Sequence, residues 1–86
     1  MEELNNQKFE NDSGDVIYLT IYNYHKEIIL KFESGNEERF LDHFNRIWFN
    51  GVYNFRLDND NDIRYLHLSK GIHLMHRPNR YHRCNV

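Results

Sequence analysis

Large apolar residues recur at every second position in two neighbouring segments of the first half of the chain. Residues 15–23 read DVIYLTIYN, and residues 27–33 read EIILKFE. This period is typical of β-strands that bury one face. The residues predicted to face the core are Ile17, Leu19, Ile21, Ile28, Leu30 and Phe32. The NYHK stretch at 23–26 predicts a turn between them, so the two strands should form a β-hairpin.

The period changes in the segment SGNEERFLDHFNRIWFNG, which covers residues 34–51. Five of its six large apolar residues fall at i, i+1, i+4, i+7 and i+8, namely Phe40, Leu41, Phe44, Ile47 and Trp48, while Phe49 leaves this stripe. That spacing predicts the single apolar stripe of an amphipathic helix. Ser34 or Asn36 can cap its start, and Gly51 suits its end. We therefore predict a helix over residues 37–50.

Period two returns in the second half of the chain. VYNFRLD at 52–58 and DIRYLHLS at 62–69 predict two more strands, and IHLMHR at 72–77 is a candidate fifth strand that Pro78 would end. The resulting order is ββαββ, with or without the fifth strand. An antiparallel sheet with one helix packed on one face is the natural two-layer arrangement for this order. The predicted fold class is therefore α+β.

The length of 86 residues predicts a single domain with a small core. We divide the chain into a flexible acidic segment at 1–14, the domain at 15–77 and a basic tail at 78–86. Cys84 is the only cysteine, which excludes an internal disulfide and fits a reducing compartment. The N-terminus has no apolar leader, and no run of about twenty apolar residues occurs. A cytoplasmic location without membrane contact is expected.

The net charge of −2 conceals an uneven distribution. Residues 1–62 contain all thirteen acids and six basic residues, which gives this part a net charge of −7. Residues 63–86 contain five basic residues and no acid. Such a split predicts an electrostatic binding end, or attraction between the two parts within the fold. Twelve asparagines and no alanine indicate an AT-rich gene, which is typical of phages, some other viruses and low-GC bacteria. A viral origin would place the protein in the host cytoplasm.

Residue types that bind zinc occur near the C-terminus, at His73, His76, His82 and Cys84. His73 and His76 are three residues apart, which sends them to opposite faces of a strand. His82 and Cys84 alone are two ligands, too few for a structural zinc site. The DNDND run at 58–62 lacks the later glycine and acid of a calcium loop. We therefore expect no metal and no cofactor.

Two functional alternatives follow from the basic and histidine residues. The first is a small nucleic-acid-binding protein, in which arginines and a lysine contact phosphates and a tyrosine stacks on a base. Its candidate residues are Lys70, Arg77, Arg80, Tyr81 and Arg83. The second is a metal-independent ribonuclease-like enzyme, with His67, His73 and His76 as candidate general acid and base. No catalytic constellation is recognisable, so the expected class is not an enzyme.

The leading hypothesis is a small non-enzymatic regulator or inhibitor that binds a macromolecule, such as a nuclease or polymerase of a host. One helix covers only one face of the sheet, which leaves an aromatic face for a protein partner or a second copy of the chain. The predicted partner-binding residues are Tyr18, Tyr22 and Ile29, with steering charge from Asp58, Asp60 and Asp62. The small core also predicts a homodimer or an obligate partner complex.

Overall fold

The computed structural model describes residues 2–24, 27–41, 46–48, 53–58, 62–70 and 79–85. Within these residues the chain forms eight β-strands and no helix. The strands are β1 (Leu4–Glu10), β2 (Val16–Tyr22), β3 (Glu27–Phe32), β4 (Glu37–Leu41), β5 (Arg46–Trp48), β6 (Tyr53–Asp58), β7 (Tyr65–Lys70) and β8 (Asn79–Arg83).

The eight strands of the described residues join one antiparallel sheet in the order β4-β3-β2-β1-β8-β7-β6-β5. Strands β1–β4 form a first meander, and β5–β8 form a second meander. Pairing of β1 with β8 joins the two, with Phe9 opposite Arg83 and Glu10 opposite His82. The first and last strands of the chain therefore lie side by side in the middle of the sheet.

The sheet is curved into a half-barrel. Strand β4 ends at Leu41 and β5 begins at Arg46, at opposite edges of the sheet of described strands. Five Cα–Cα steps of 3.8 Å span at most about 19 Å. In a flat sheet the same two edge strands would lie about 34 Å apart, at about 4.8 Å per strand. The short covalent link therefore requires the sheet to roll up, in keeping with its extents of 31 × 27 × 25 Å.

The predicted α+β fold with a helix over residues 37–50 is wrong. Glu37–Leu41 pairs with β3 and Arg46–Trp48 pairs with β6, while residues 42–45 and 49–50 lie outside the described residues. The apolar spacing that matched a helical stripe is equally compatible with two short strands separated by a connection. Curvature of the sheet, rather than a helix, supplies the second layer that the core needs.

The concave face of the half-barrel holds the hydrophobic core. Buried residues from both meanders pack there as one cluster, because a rolled sheet brings its own two halves face to face. The cluster contains Leu4, Phe9, Ile17, Leu19, Ile21, Ile28, Leu30, Leu57, Ile63, Leu66, Leu68 and Tyr81, and Phe32 packs against it. The inward side predicted for β2 and β3 is therefore confirmed.

Both ends of the chain supply strands where we predicted a flexible segment and a basic tail. Phe9 of β1 has 0% exposure, and Tyr81 of β8 has 6%. The sequence of β1, LNNQKFE, hides its strand character, because a register shift between Leu4 and Gln7 breaks the period of two. Asn6, within that irregularity, has a φ of 48°, which asparagine tolerates better than most residues. The candidate fifth strand at 72–77 lies outside the described residues.

The turn between β1 and β2 is organised by the buried side chain of Asn11. Its Oδ1 accepts hydrogen bonds from the backbone N–H of Ser13 at 3.0 Å and of Asp15 at 2.8 Å. Its Nδ2 donates to Asp15 Oδ2 at 3.1 Å. Such a side chain replaces backbone acceptors that a tight turn cannot provide.

Replacing Asn11 with alanine should lower the free energy of unfolding by about 1–2 kcal/mol, because two backbone donors lose their acceptor. Urea unfolding followed by circular dichroism measures the change. Asp12→Ala in the same turn is the control, since Asp12 is exposed and should change stability by less than about 0.5 kcal/mol. Equal stability of the two variants would contradict this role for Asn11.

Candidate functional site

The convex face of β2 and β3 carries the aromatic residues that the sequence placed on an open sheet face. Tyr18 lies opposite Lys31, and Tyr22 lies opposite Glu27. Ile29 lies opposite Thr20 and is thus a diagonal neighbour of both tyrosines. These side chains share the convex face because their alternating neighbours line the core. The structure therefore brings together Tyr18, Tyr22 and Ile29, as predicted from the alternation.

Exposure singles out two tyrosines, Tyr22 at the end of β2 and Tyr24 in the turn that follows it. Tyr22 is 45% exposed and Tyr24 is 90% exposed, and they are the exposed large hydrophobic residues of the described part of the chain. Tyr18 and Ile29, on the convex face, are half-buried. Tyr24 was missed by the sequence analysis, although its place in a predicted turn signalled its exposure. We call Tyr18, Tyr22, Tyr24 and Ile29 the tyrosine surface.

Charged side chains border the tyrosine surface along β3 and β4. Arg39 lies opposite Ile29 and forms ion pairs with Glu27 at 3.3 Å and with Glu37 at 3.6 Å. These pairs are exposed, so each contributes little to stability. Residues 1–41 contain nine acids and four basic residues, a net charge of −5, whereas residues 42–86 contain four acids and seven basic residues, a net charge of +3. The tyrosine surface therefore belongs to an acidic half of the protein.

Of the three aspartates predicted to steer a partner, the structure describes two, and neither of them lies on β2 or β3. Asp58 ends β6, which lies four places from β2 in the strand order. Asp62 forms ion pairs with Arg64 at 3.1 Å and with Arg83 at 3.2 Å, so its charge is compensated locally. Asp60 lies outside the described residues.

Two residues of the predicted nucleic-acid set have structural roles instead. Tyr81 is buried in the core at 6% exposure, so its ring is not available to stack on a base. Arg83 is half-buried, and its Nη1 donates to both carboxylate oxygens of Glu2 at 3.1 Å and to Asp62 at 3.2 Å. Both residues were assigned to a solvated tail in the sequence prediction, whereas they lie on β8.

Two other members of that set lie on described strands, Lys70 on β7 and Arg80 on β8. Arg80 is exposed, and its guanidinium carbon lies 4.9 Å from the centroid of the Tyr65 ring, a cation–π contact. Lys70 ends β7 and pairs with Tyr53 across the strands. Arg77 lies outside the described residues. Among the members of the set whose side chains the structure describes, Arg80 lies on the surface.

The register of β5–β8 aligns further basic residues with Arg80. Arg46 lies opposite Arg56, Arg56 lies opposite His67, and His67 lies opposite Arg80. Directly paired residues share a face of the sheet, and the buried neighbours Leu66 and Leu68 place His67 on the convex face. We call Arg46, Arg56, His67 and Arg80 the basic row.

The basic row could not be recognised from sequence spacing. Its members are ten, eleven and thirteen residues apart, and they align only once the strand register is known. Like charges placed directly opposite each other across a sheet are destabilising.

A polar cleft of about 710 Å³ opens beside β7 and β8, where the two ends of the chain meet. Its lining includes Glu2, Gln7, Asp62, Arg64, Tyr65, His82, Arg83, Cys84 and Asn85. Glu2 accepts a hydrogen bond from the backbone N–H of Ile63 at 3.2 Å, and Gln7 Nε2 donates to the carbonyl of Cys84 at 2.8 Å. These contacts tie both termini to the sheet, so the charges of the cleft serve the fold.

The residues considered for metal binding and catalysis are partly outside the described residues, among them His73 and His76. His82 is exposed, and Cys84 Sγ lies 3.9 Å from Glu10 Oε2. In the part of the chain that the structure describes, no three His, Cys, Asp or Glu residues are grouped to hold a metal ion. Of the histidines proposed for acid–base chemistry, the structure describes His67, which lies on the convex face and is half-buried.

Within the described ranges no helix has the length and apolar character needed to cross a membrane. Comparisons of the chain with protein-family models, curated protein sequences and solved structures gave no match, so its function has to be inferred from its own residues.

Proposed function

We propose that this protein is a non-enzymatic regulator that acts in the cytoplasm by binding another protein through the tyrosine surface. The observation that supports the proposal most is the exposure of Tyr22 and Tyr24 next to the half-buried Tyr18 and Ile29. Tyrosine rings offer a large contact area with few rotatable bonds, which is why they are enriched among the residues that dominate binding energy. In a viral setting, the partner would be a host nuclease or polymerase that the protein inhibits.

The charge around the tyrosine surface favours a partner with a basic surface. Glu3 Oε1 accepts a hydrogen bond at 3.3 Å from the backbone N–H of Asn23, between the two exposed tyrosines. Glu27 lies opposite Tyr22 on the neighbouring strand. These acids belong to the half of the chain with a net charge of −5. Complementary charge accelerates association and disfavours acidic competitors, while the aromatic rings supply affinity.

Replacing Tyr22 with alanine should weaken partner binding by about 2 kcal/mol or more, roughly 30-fold, because the variant loses a central aromatic contact. The partner would be captured with the wild-type protein from the native host, purified, and titrated by calorimetry against each variant. Glu3→Gln should mainly slow association and reduce its salt dependence. Arg80→Gln, on the second meander, is the control and should bind as the wild type does.

Two results would argue against the tyrosine surface as the binding site. One is wild-type affinity for both Tyr22→Ala and Tyr24→Ala, with the captured partner unchanged. The other is self-association: sedimentation that shows a dimer broken by Tyr22→Ala would mean that a second copy of the chain occupies this surface. A captured partner whose contact surface is acidic would contradict the charge argument alone.

A further inference from the structure

We infer that the basic row on β5–β8 binds the phosphate backbone of single-stranded nucleic acid, a function separate from protein binding at the tyrosine surface. The inference rests first on the register, which places Arg46, Arg56, His67 and Arg80 in one line across four neighbouring strands. Every position in this line is a basic residue type. The half of the chain that contains the line has a net charge of +3.

The length of the basic row suits a nucleic-acid strand. Four neighbouring strands span about 14 Å from first to last, at about 4.8 Å per strand. Phosphates of one strand rise about 3.4 Å each along the axis of a stacked duplex and lie further apart along an extended single strand, so about three of them fit within this span. A nucleic-acid strand that lies across β5–β8 would meet one basic residue on each β-strand.

The contact between Arg80 and Tyr65 favours single-stranded over duplex nucleic acid. Arg80 lies on β8 and is exposed. Its guanidinium, held over the Tyr65 ring at 4.9 Å from the centroid, presents a flat cation to solvent. Flat cations and aromatic rings stack on bases, which are accessible in a single strand and covered in a duplex.

Acidic residues lie next to the basic row rather than within it. A second line of paired positions lies beside the basic row on the same face, and it consists of Asp58, Tyr65, His82 and Glu10. The acids stand at the two ends of this second line, separated by the tyrosine and the histidine. Arg80 lies beside the middle of this second line, away from both acids. Its surroundings are therefore the most favourable place for a phosphate.

The test is fluorescence anisotropy with labelled single-stranded DNA and RNA oligonucleotides of mixed sequence, at several salt concentrations. About three phosphate contacts predict that log K falls with log salt with a slope of about −2. The variant R56Q/R80Q should bind at least tenfold more weakly and lose about 1.4 from the slope, since each single-strand contact contributes about 0.7. R56K/R80K should keep most of the slope. Arg39→Gln, a cation on the first meander, is the matched control and should bind like the wild type.

Circular dichroism and thermal unfolding show whether the variants fold. Should R56Q/R80Q fail to fold, Arg80→Gln alone is expected to lose about 0.7 from the slope. Absence of wild-type binding at low salt, wild-type binding by the folded variants, or tighter binding of duplex than of single strand would overturn the inference. The two proposals can fail independently, because R56Q/R80Q should retain the protein partner and Tyr22→Ala should retain the oligonucleotide.

Discussion

Replacing Phe9 with alanine should lower the free energy of unfolding by about 3–5 kcal/mol, as expected for a buried aromatic residue that leaves a cavity. Phe9 has 0% exposure and lies on β1, between β2 and β8. The loss is a large share of the roughly 5–15 kcal/mol that stabilises a typical domain. We expect Phe9→Ala to be partly unfolded at 37 °C, which thermal unfolding followed by circular dichroism would measure.

The effect of Phe9→Ala separates two descriptions of the N-terminus. A flexible acidic segment would tolerate the substitution with a change below about 0.5 kcal/mol. Asn5→Ala is the control within the same strand, because Asn5 is exposed. Stability unchanged by Phe9→Ala would mean that β1 is not a central strand of the sheet.

Much of the sheet follows from local pattern. Strands β2 and β3, and their hairpin, are predictable because Ile17, Leu19 and Ile21 recur with period two and a turn follows. Strands β6 and β7 are found for the same reason, with Leu66 and Leu68 on the inward side. In each case the pairing is between neighbouring segments, so the information lies within about twenty residues.

The parts that were mispredicted depend on pairing between distant residues. Strand β1 pairs with β8 across more than seventy residues, with Phe9 opposite Arg83, and no local pattern reports such a contact. The spacing from Phe40 to Trp48 satisfies a helical period by itself. The segment forms two strands because β3 and β6 offer edges with which Glu37–Leu41 and Arg46–Trp48 can pair. Tertiary context overrides local propensity in this segment.

The two candidate surfaces differ in the same way. The shared face of Tyr18, Tyr22 and Ile29 follows from alternation within one hairpin and was predictable. The basic row depends on three strand registers at once, so its alignment with Arg80 could not be read from the sequence. The nucleic-acid set chosen from sequence contained Arg80 for a different reason, its place in a presumed basic tail. The count of charged residues identifies the basic half of the protein, and the strand register identifies the basic row within that half.

A chain that ends at residue 78 should not fold. Strand β8 lies between β1 and β7 and joins the two meanders, so its removal deletes a central strand rather than a tail. The loss includes the buried Tyr81 and the ion pairs of Arg83 with Glu2 and Asp62. Each backbone hydrogen bond of the two ladders contributes about 0.5–1.5 kcal/mol. Together with the burial of side chains, these bonds approach the whole stability of a small domain.

Circular dichroism and the dispersion of amide signals in a two-dimensional NMR spectrum would test this expectation. A chain that ends at Cys84 is the control, because it keeps β8 and the carbonyl that accepts the hydrogen bond from Gln7. A native-like spectrum for the chain that ends at residue 78 would show that 79–83 is dispensable and would restore the tail interpretation. Until that is measured, loss of binding on truncation cannot be assigned to a functional tail, since removal of a central strand would abolish both surfaces at once. The binding experiments therefore use point variants on the convex face, where side chains can change while β1 and β8 remain paired.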